Sequence, residues 1–343
     1  MPNLWSERRD LQRILKKILL VNLENKKFEI VNLKVHSIGG SSLARELLLT
    51  FKNSLIITPG LLTGTSAPTG GRYSLGMKTD YGHHISSIGG FIGAYIRGYG
   101  IDGVVITGKS EEKMILKLSS NKVFFDSASD FLEKSVFQIA NVLEKKGKKT
   151  IIVGPAGERG SNISSLISER FRSFGKGSGK ALFEMGVKAL VFSPAQSIAK
   201  SERFIKEALK IREKLKAKDK SVRRYGHPCY GCPISCAAME GRLKKGVSRI
   251  LRNHENAEGI VDMANDFGVD IFGAHLASKT YGYSIETVIK MAKDGKSFNV
   301  KYPDRPIDNW KDYLDSLGIC LDASKFLKKE DIENLHKFFI EKA

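Results

Sequence analysis

Thr63-Gly64-Thr65-Ser66-Ala67-Pro68-Thr69-Gly70-Gly71-Arg72 is the stretch on which the reading of the fold turns. It combines hydroxyls, amides without side-chain cover and one arginine. That mixture suits a phosphate-bearing ligand, because bare amides form an anion nest and a guanidinium donates in pairs. The glycine-rich turns of a β-rich domain have the same composition. The theme returns in Ser86-Ser87-Ile88-Gly89-Gly90-Phe91 and in Arg172-Ser173-Phe174-Gly175-Lys176-Gly177. None of the three sits in the strand–turn–helix frame of a P-loop or a dinucleotide fingerprint.

Short strand signals surround these glycines. Val21-Asn22-Leu23 and Phe28-Glu29-Ile30-Val31 flank a polar turn and predict a hairpin. Leu55-Ile56-Ile57, Gly103 to Ile106, Thr150 to Val153 and Ala189 to Phe192 read as buried strands. Gly39-Gly40-Ser41-Ser42 offers a hydroxyl N-cap to a helix over Leu43 to Phe51. Residues 1–195 therefore predict an α+β domain of paired β-sheets with helices. Downstream the pattern changes to helices: a charged one over Ser201 to Lys220, then Ile260 to Asn265, Ile285 to Lys293 and Lys329 to Lys342. Asp294 to Asp308, with Pro303 and Pro306, reads as a long loop. Residues 196–343 predict a mostly α-helical domain, which the resemblance given below implies is shortened.

The chain has four cysteines. Three stand in Cys229-Tyr230-Gly231-Cys232-Pro233-Ile234-Ser235-Cys236, and Cys320 is remote. Three close thiolates plus one distant one can converge on a cubic iron–sulfur cluster. The same spacing is open to a zinc site, with His227 assisting, and to unligated thiols. His83-His84 and His275 read as exposed or core histidines rather than ligands.

Composition narrows the classes. The chain is 41% hydrophobic, enough to bury a sizeable core, and no apolar run approaches a membrane span. The polar start lacks a secretory core, so a cytoplasmic protein is expected, where cysteines favour metal over disulfides. Net charge is +19, from 56 Lys+Arg against 37 Asp+Glu. That suits an acidic partner, and the basic stretches Lys214 to Arg224 and Arg242 to Arg252 flank the cysteine loop. A zinc-stabilised nucleic-acid binder would share the charge and the cysteine spacing. No recognition helix or RNA-binding aromatic signature accompanies them, so nucleic acid is not the expected partner.

Together the motifs resemble the tungsten-containing aldehyde:ferredoxin oxidoreductase family. Thr63 to Arg72 resembles its N-terminal signature, as do Gly89-Gly90-Phe91-Ile92-Gly93, Gly100 to Lys109 and Gly154-Pro155-Ala156-Gly157-Glu158. The cysteine loop resembles the family's cluster loop, and Asp315-Ser316-Leu317-Gly318-Ile319-Cys320 its later Asp-x-x-Gly-Leu-Cys motif. The matches keep their order from about residue 18 to 326. The resemblance implies a [4Fe-4S] cluster on Cys229, Cys232, Cys236 and Cys320. It implies a tungsten or molybdenum bis-pterin facing Arg72, Ser87, Gly89, Arg172, Ser173, Gly175 and Lys176. Asp315 and Ile319 would touch a pterin, and Asn265 and Val269 would stand at the earlier Asp-x-x-Gly-Leu motif. The implied reaction oxidises an aldehyde to a carboxylic acid and passes electrons to ferredoxin or another acidic carrier.

The departures point to a divergent member. A helical segment is missing between about Gly273 and Asp315, and most of the region after Cys320 is absent. The nearest counterpart of the family's catalytic glutamate stretch is His254-Glu255-Asn256-Ala257-Glu258, a poor match that reads as a solvated helix start. No catalytic residue is assigned. Ser87 replaces Asn, Asn265 replaces Asp, and Lys176 replaces Arg with loss of the planar fork. Phe183 and Glu184 replace small residues. The family's Glu-x-x-His iron site is absent from Ile260 to Asn265; Glu333-Asn334-Leu335-His336 has the spacing but reads as a surface helix. The alternative function is a noncatalytic electron-transfer or scaffold subunit, or a chain completed by a partner subunit. A homodimer is the other expected assembly.

Overall fold

The computed structural model describes residues 13–196, 198, 200–218, 229–233, 247, 250–251, 254–303, 309–320 and 327–340. It opens with the expected hairpin, β1 (Ile14–Asn22) and β2 (Lys27–Val35), closed where Asn22 pairs with Lys27. Then come α1 (Gly40–Thr50), β3 (Leu55–Pro59), β4 (Arg72–Thr79), β5 (Gly82–Gly89), α2 (Ile92–Gly98) and β6 (Gly103–Thr107). Their strands form a six-stranded sheet in the order β2-β1-β6-β3-β4-β5.

A second run follows: β7 (Met114–Leu118), β8 (Val123–Ser127), α3 (Val136–Leu143), β9 (Lys149–Val153), α4 (Pro155–Glu158), β10 (Leu166–Ser168), β11 (Arg172–Phe174), α5 (Ser178–Glu184) and β12 (Val187–Phe192). It forms another six-stranded sheet, in the order β11-β10-β9-β12-β7-β8. Only β1–β6 and β7–β12 pair in parallel among these strands.

The apolar runs alternate their allegiance residue by residue, because successive strand side chains point to opposite faces. Leu55, Ile57, Val104 and Ile106 meet Leu116, Ile151, Val153 and Leu190 between the two sheets. Ile56 and Val105 turn the other way, onto Leu43 and Leu47 of α1. On the second sheet Ile115, Ile152 and Ala189 pack against Val136 and Ile139 of α3. Strands covered on both faces read as continuous apolar runs, which is why these were legible.

The helical region comprises α6 (Glu202–Lys218), α7 (Ala257–Phe267), α8 (Ile271–Tyr281), α9 (Ile285–Lys293), α10 (Asn309–Leu317) and α11 (Lys329–Ile340). α7, α8 and α9 share a core with Ala156 and Ile163. α6, α10 and α11 share another with Leu62 and Ala67, so the helices grip the glycine-rich loop after β3. No helix among the described residues is long and apolar enough to cross a membrane.

One local expectation changes, and two elements are not foreseen by the sequence pattern. The N-cap of α1 is Gly39 with no side-chain cap, and the Ser42 hydroxyl donates instead to the Gly39 carbonyl at 2.8 Å. Close packing explains it: a Cβ on Gly40 would stand 1.9 Å from the Asp315 carbonyl oxygen. The β4–β5 hairpin occupies a stretch whose Ser74, Gly76, Ser86 and Ser87 mask the strand alternation. α8 also escapes the sequence pattern, since its buried face is made of the small residues Gly273, Ala274 and Ala277.

Burial pushes the pKa of the Lys188 ammonium down to about 7. Lys188 sits in β12 beside a register shift, is 0% exposed, donates to the Val153 carbonyl at 2.7 Å and pairs with Glu158. Removing one member of a buried pair strands the other. Lys188→Met is expected to lose about 3–5 kcal/mol in denaturant unfolding, and adding Glu158→Gln to recover part of it. An unchanged midpoint in the single variant would show that the pair contributes nothing.

Candidate functional site

The loop between β3 and β4 is clipped from two directions. From the end of α10, Ser316 and Leu317 offer carbonyls to the amides of Leu61 and Leu62 at 3.0 and 2.8 Å, and Gly318 to that of Arg72 at 3.4 Å. Gly318 has φ +82°, and a Cβ there would lie 2.2 Å from the Thr63 hydroxyl oxygen. Glycine is therefore required on both conformational and steric grounds. The Cys320 amide donates to the Thr69 hydroxyl at 3.4 Å. From the cysteine loop, Gly231 accepts from the Thr69 amide at 3.1 Å, and the Tyr230 amide donates to the Gly90 carbonyl at 3.1 Å. Cys229 and Cys232 belong to one turn, closed by a 3.1 Å bond from the Cys232 amide to the Cys229 carbonyl.

This clipping sets two guanidiniums against two sulfurs. Arg72 bonds the Ser87 hydroxyl through Nε at 3.0 Å and the Ser87 carbonyl at 2.8 Å. Its Nη1 lies 3.9 Å from Cys320 Sγ, and its Nε lies 3.5 Å from Asp315 Oδ1. Burial alone would lower the Arg72 pKa, but Cys320, Asp315 and Cys229 together hold it above its ordinary value. Arg172 approaches Cys229 Sγ with Nη2 at 3.7 Å and Glu169 with Nη1 at 3.4 Å. Burial opposes its charge too, and Glu169, then Cys229, overcome that and raise its pKa. Gly89 completes the corner: a Cβ there would fall 2.5 Å from Cys229 Sγ.

Arg72, Ser87, Gly89, Arg172, Asp315, Cys229 and Cys320 are thus joined by direct contacts. Ile319 is buried in the apolar cluster against which Cys232 and Cys320 pack. Cys229, Cys232 and Cys320 form no disulfide, while Cys236 lies outside the described residues. Among the described residues no three His, Cys, Asp or Glu side chains are placed to hold a metal ion.

The remaining expected residues lie on β11 and at the α7–α8 junction, with Gly175 and Lys176 against Asp270. Alternation along β11 turns Ser173 away from Arg172 and onto the Ser165 hydroxyl. Gly175 leaves room for the Asp270 carboxylate, whose Oδ2 would be 2.3 Å from a Cβ there. The Lys176 amide donates to Asp270 at 3.3 Å, and its ammonium lies 5.2 Å from the Tyr302 ring centre. Asn265 and Val269 are buried at the α7–α8 junction, where Val269 bridges to Ser164. Glu255 and Glu258 are exposed, as a solvated helix start requires. Glu333 is exposed, whereas His336 is half-buried and bonded to the Tyr313 hydroxyl at 2.8 Å, so that helix is not wholly a surface one.

Sequence reasoning missed Glu169, Asp270 and Tyr302. The signal for Glu169 was its place three residues before Arg172; Asp270 and Tyr302 gave none, because their pairing is long-range.

Residues 18–194 match the family model for the aldehyde ferredoxin oxidoreductase N-terminal domain. The chain belongs to the aldehyde ferredoxin oxidoreductase family. The tungsten-containing aldehyde ferredoxin oxidoreductase of Thermococcus kodakarensis is 33% identical over 193 residues, 53% of this chain and 31% of that protein. Its counterpart in Pyrococcus furiosus is 31% identical over 196 residues, 54% and 32% of the two chains. The matched stretch thus spans less than a third of the Thermococcus relative, at 31% of its length. Among solved structures, the active site complex BamBC of benzoyl coenzyme A reductase with 1,5 dienoyl-CoA has a TM-score of 0.69 at 18% identity. That likeness covers 94% of this chain and 65% of the other, and it is a likeness of fold.

Burial raises the Asp270 pKa above the ordinary carboxylate range, and the bonds from Tyr302 and the Lys176, Phe272 and Gly273 amides offset only part of it. The folded state therefore holds that proton more tightly than the unfolded one. Its stabilising contribution is complete below the unfolded value and is lost as pH rises through the folded value. Relative to Asp270→Asn, the wild type is expected to gain stability as pH falls through the acid range, read from melts at several pH values. A constant difference would refute it.

Proposed function

We propose that this chain carries a [4Fe-4S] cluster on Cys229, Cys232, Cys236 and Cys320, beside a tungsten or molybdenum bis-pterin. In this reading it oxidises an aldehyde to a carboxylic acid and delivers the electrons to ferredoxin or another acidic carrier. The observation that carries it is the meeting of Arg72 with Cys320 and of Arg172 with Cys229 in one glycine-lined corner. Buried guanidiniums beside sulfur fit thiolate ligands, whose negative charge needs compensation away from water. The absence of a side chain at Gly89 is what lets Cys229 Sγ stand in this corner.

When bound, the metal pterin supplies two-electron oxidation and the cluster one-electron transfer. Conversion of an aldehyde and one water to a carboxylate releases two electrons and three protons. Arg72 and Arg172 hold positive charge at the sulfurs. Arg72, Ser87, Gly89, Asp315 and Ile319 form the pterin side of the corner, and Ser173, Gly175, Lys176, Asn265 and Val269 continue it along β11 and the α7–α8 junction. The basic stretches Lys214 to Arg224 and Arg242 to Arg252 favour an acidic carrier by electrostatic steering.

The exposure of Glu255 and Glu258 favours a second reading. A proton-transfer carboxylate must reach the reacting atom. Here the chain would carry electrons without performing the oxidation, or a partner subunit would complete it.

Protein purified anaerobically from its native host is expected to contain about four irons, with sulfide and tungsten or molybdenum. Ligand variants such as Cys229→Ser and Cys320→Ser should lose most of the iron, and Gly89→Ala should lower it by displacing Cys229. Iron without tungsten or molybdenum would select the electron-transfer reading, and zinc alone would overturn both. Aldehyde oxidation by the isolated, metal-loaded chain separates the first reading from the second.

A further inference from the structure

The turn between β10 and β11 holds Glu169 and Arg170 in succession in left-handed backbone, with φ 48° and 68°. Side chains disfavour that region, so two adjacent residues persist there only where their surroundings fix them. Arg170 is fixed outward, by Glu144 at 2.8 Å and Asn141 at 2.8 Å. Glu169 is fixed inward and is 4% exposed. Its Oε1 accepts from the amides of Phe91 at 2.6 Å and Ile92 at 3.1 Å. Those amides open α2 and have no acceptor within the helix. Gly90 makes room for the carboxylate, since a Cβ there would lie 2.2 Å from Oε1.

The other oxygen of Glu169 faces Arg172 at 3.4 Å, and Arg172 in turn faces Cys229 Sγ at 3.7 Å. One carboxylate therefore ties the Gly89–Gly90 corner, which underlies the Cys229 sulfur, to the guanidinium beside that sulfur. It also tempers the charge that the sulfur feels. The pair is almost dry, with 3% and 4% side-chain exposure, so solvent screens it little.

We propose that Glu169 is a positioning residue that acts through Arg172 to set the charge at Cys229, and with it the reduction potential of the iron–sulfur cluster. This role rests on the cluster reading above. Reduction places one added electron on the cluster, so positive charge at a ligand sulfur favours the reduced form. Arg172 promotes reduction, and Glu169 restrains that promotion while holding Arg172 in place.

The test is a redox titration of the anaerobically purified, iron-loaded protein, followed by electron paramagnetic resonance. The electron comes from dithionite. Arg172→Met is expected to move the midpoint negative and Glu169→Gln to move it positive, each by about tenfold in the reduction equilibrium constant. Arg172→Lys should fall between Arg172→Met and the wild type. A purely structural role would lower melting temperatures without moving the midpoints in opposite directions. Folded, iron-loaded variants whose midpoints stay unchanged, or move the same way, would overturn the proposal. Hydrogen exchange gives a readout independent of iron: Glu169→Ala should speed exchange at the Phe91 and Ile92 amides, and Arg172→Met should not. Iron-free wild-type protein would instead remove the cluster reading and this role with it, while the exchange rates still report whether Glu169 locks the corner.

Discussion

Two arginine side chains, each buried and each set against a cysteine sulfur, are the constraint on which the rest of this architecture depends. A guanidinium out of water must be paired, and each of these meets both a sulfur and a carboxylate. The sulfurs come from distant parts of the chain. Arg72 begins β4 of one sheet and Arg172 begins β11 of the other. The two sheets, the cysteine loop and the end of α10 must therefore all be in register for the charges to be satisfied.

Glycine makes that register reachable. Gly60 and Gly318 come so close that a Cβ on Gly60 would stand 2.1 Å from the Gly318 amide nitrogen. Gly71 does the same against the Gly90 carbonyl and the Tyr230 amide, at 2.8 Å each. Backbone packed on backbone allows direct amide–carbonyl bonding between segments that belong to no common sheet. It also explains why helices α6, α10 and α11 close over the loop: Leu61, Leu62 and Ala67 supply the apolar surface those helices cover.

The family N-terminal domain match ends at residue 194, yet the corner is completed by residues beyond it, Cys229 and the Asp315–Cys320 turn. The residues after the matched stretch thus contribute structurally to the corner. The two buried acidic groups of the neighbourhood differ in kind. Glu169 meets a guanidinium and two amides and stays in ion-pair geometry. Asp270 meets amides and a phenol, and burial pushes its proton affinity up.

The sequence by itself determined the layering and the family. Apolar runs such as Leu55-Ile56-Ile57 and Val104-Val105-Ile106 carry their partners' requirements locally, because each alternate residue needs cover on its own face. The ordered glycine and cysteine motifs likewise fixed which segments mattered. The β4–β5 hairpin and α8 were not legible, since serine, glycine and alanine carry little apolar contrast. Only the tertiary structure decided which arginine meets which sulfur, that Ser173 turns away from Arg172, and that Glu169 and Asp270 organise the two halves of the neighbourhood. The reason is physical: a buried charge chooses its partner by three-dimensional proximity, through loop closures over long stretches of chain that leave no periodic trace in the sequence.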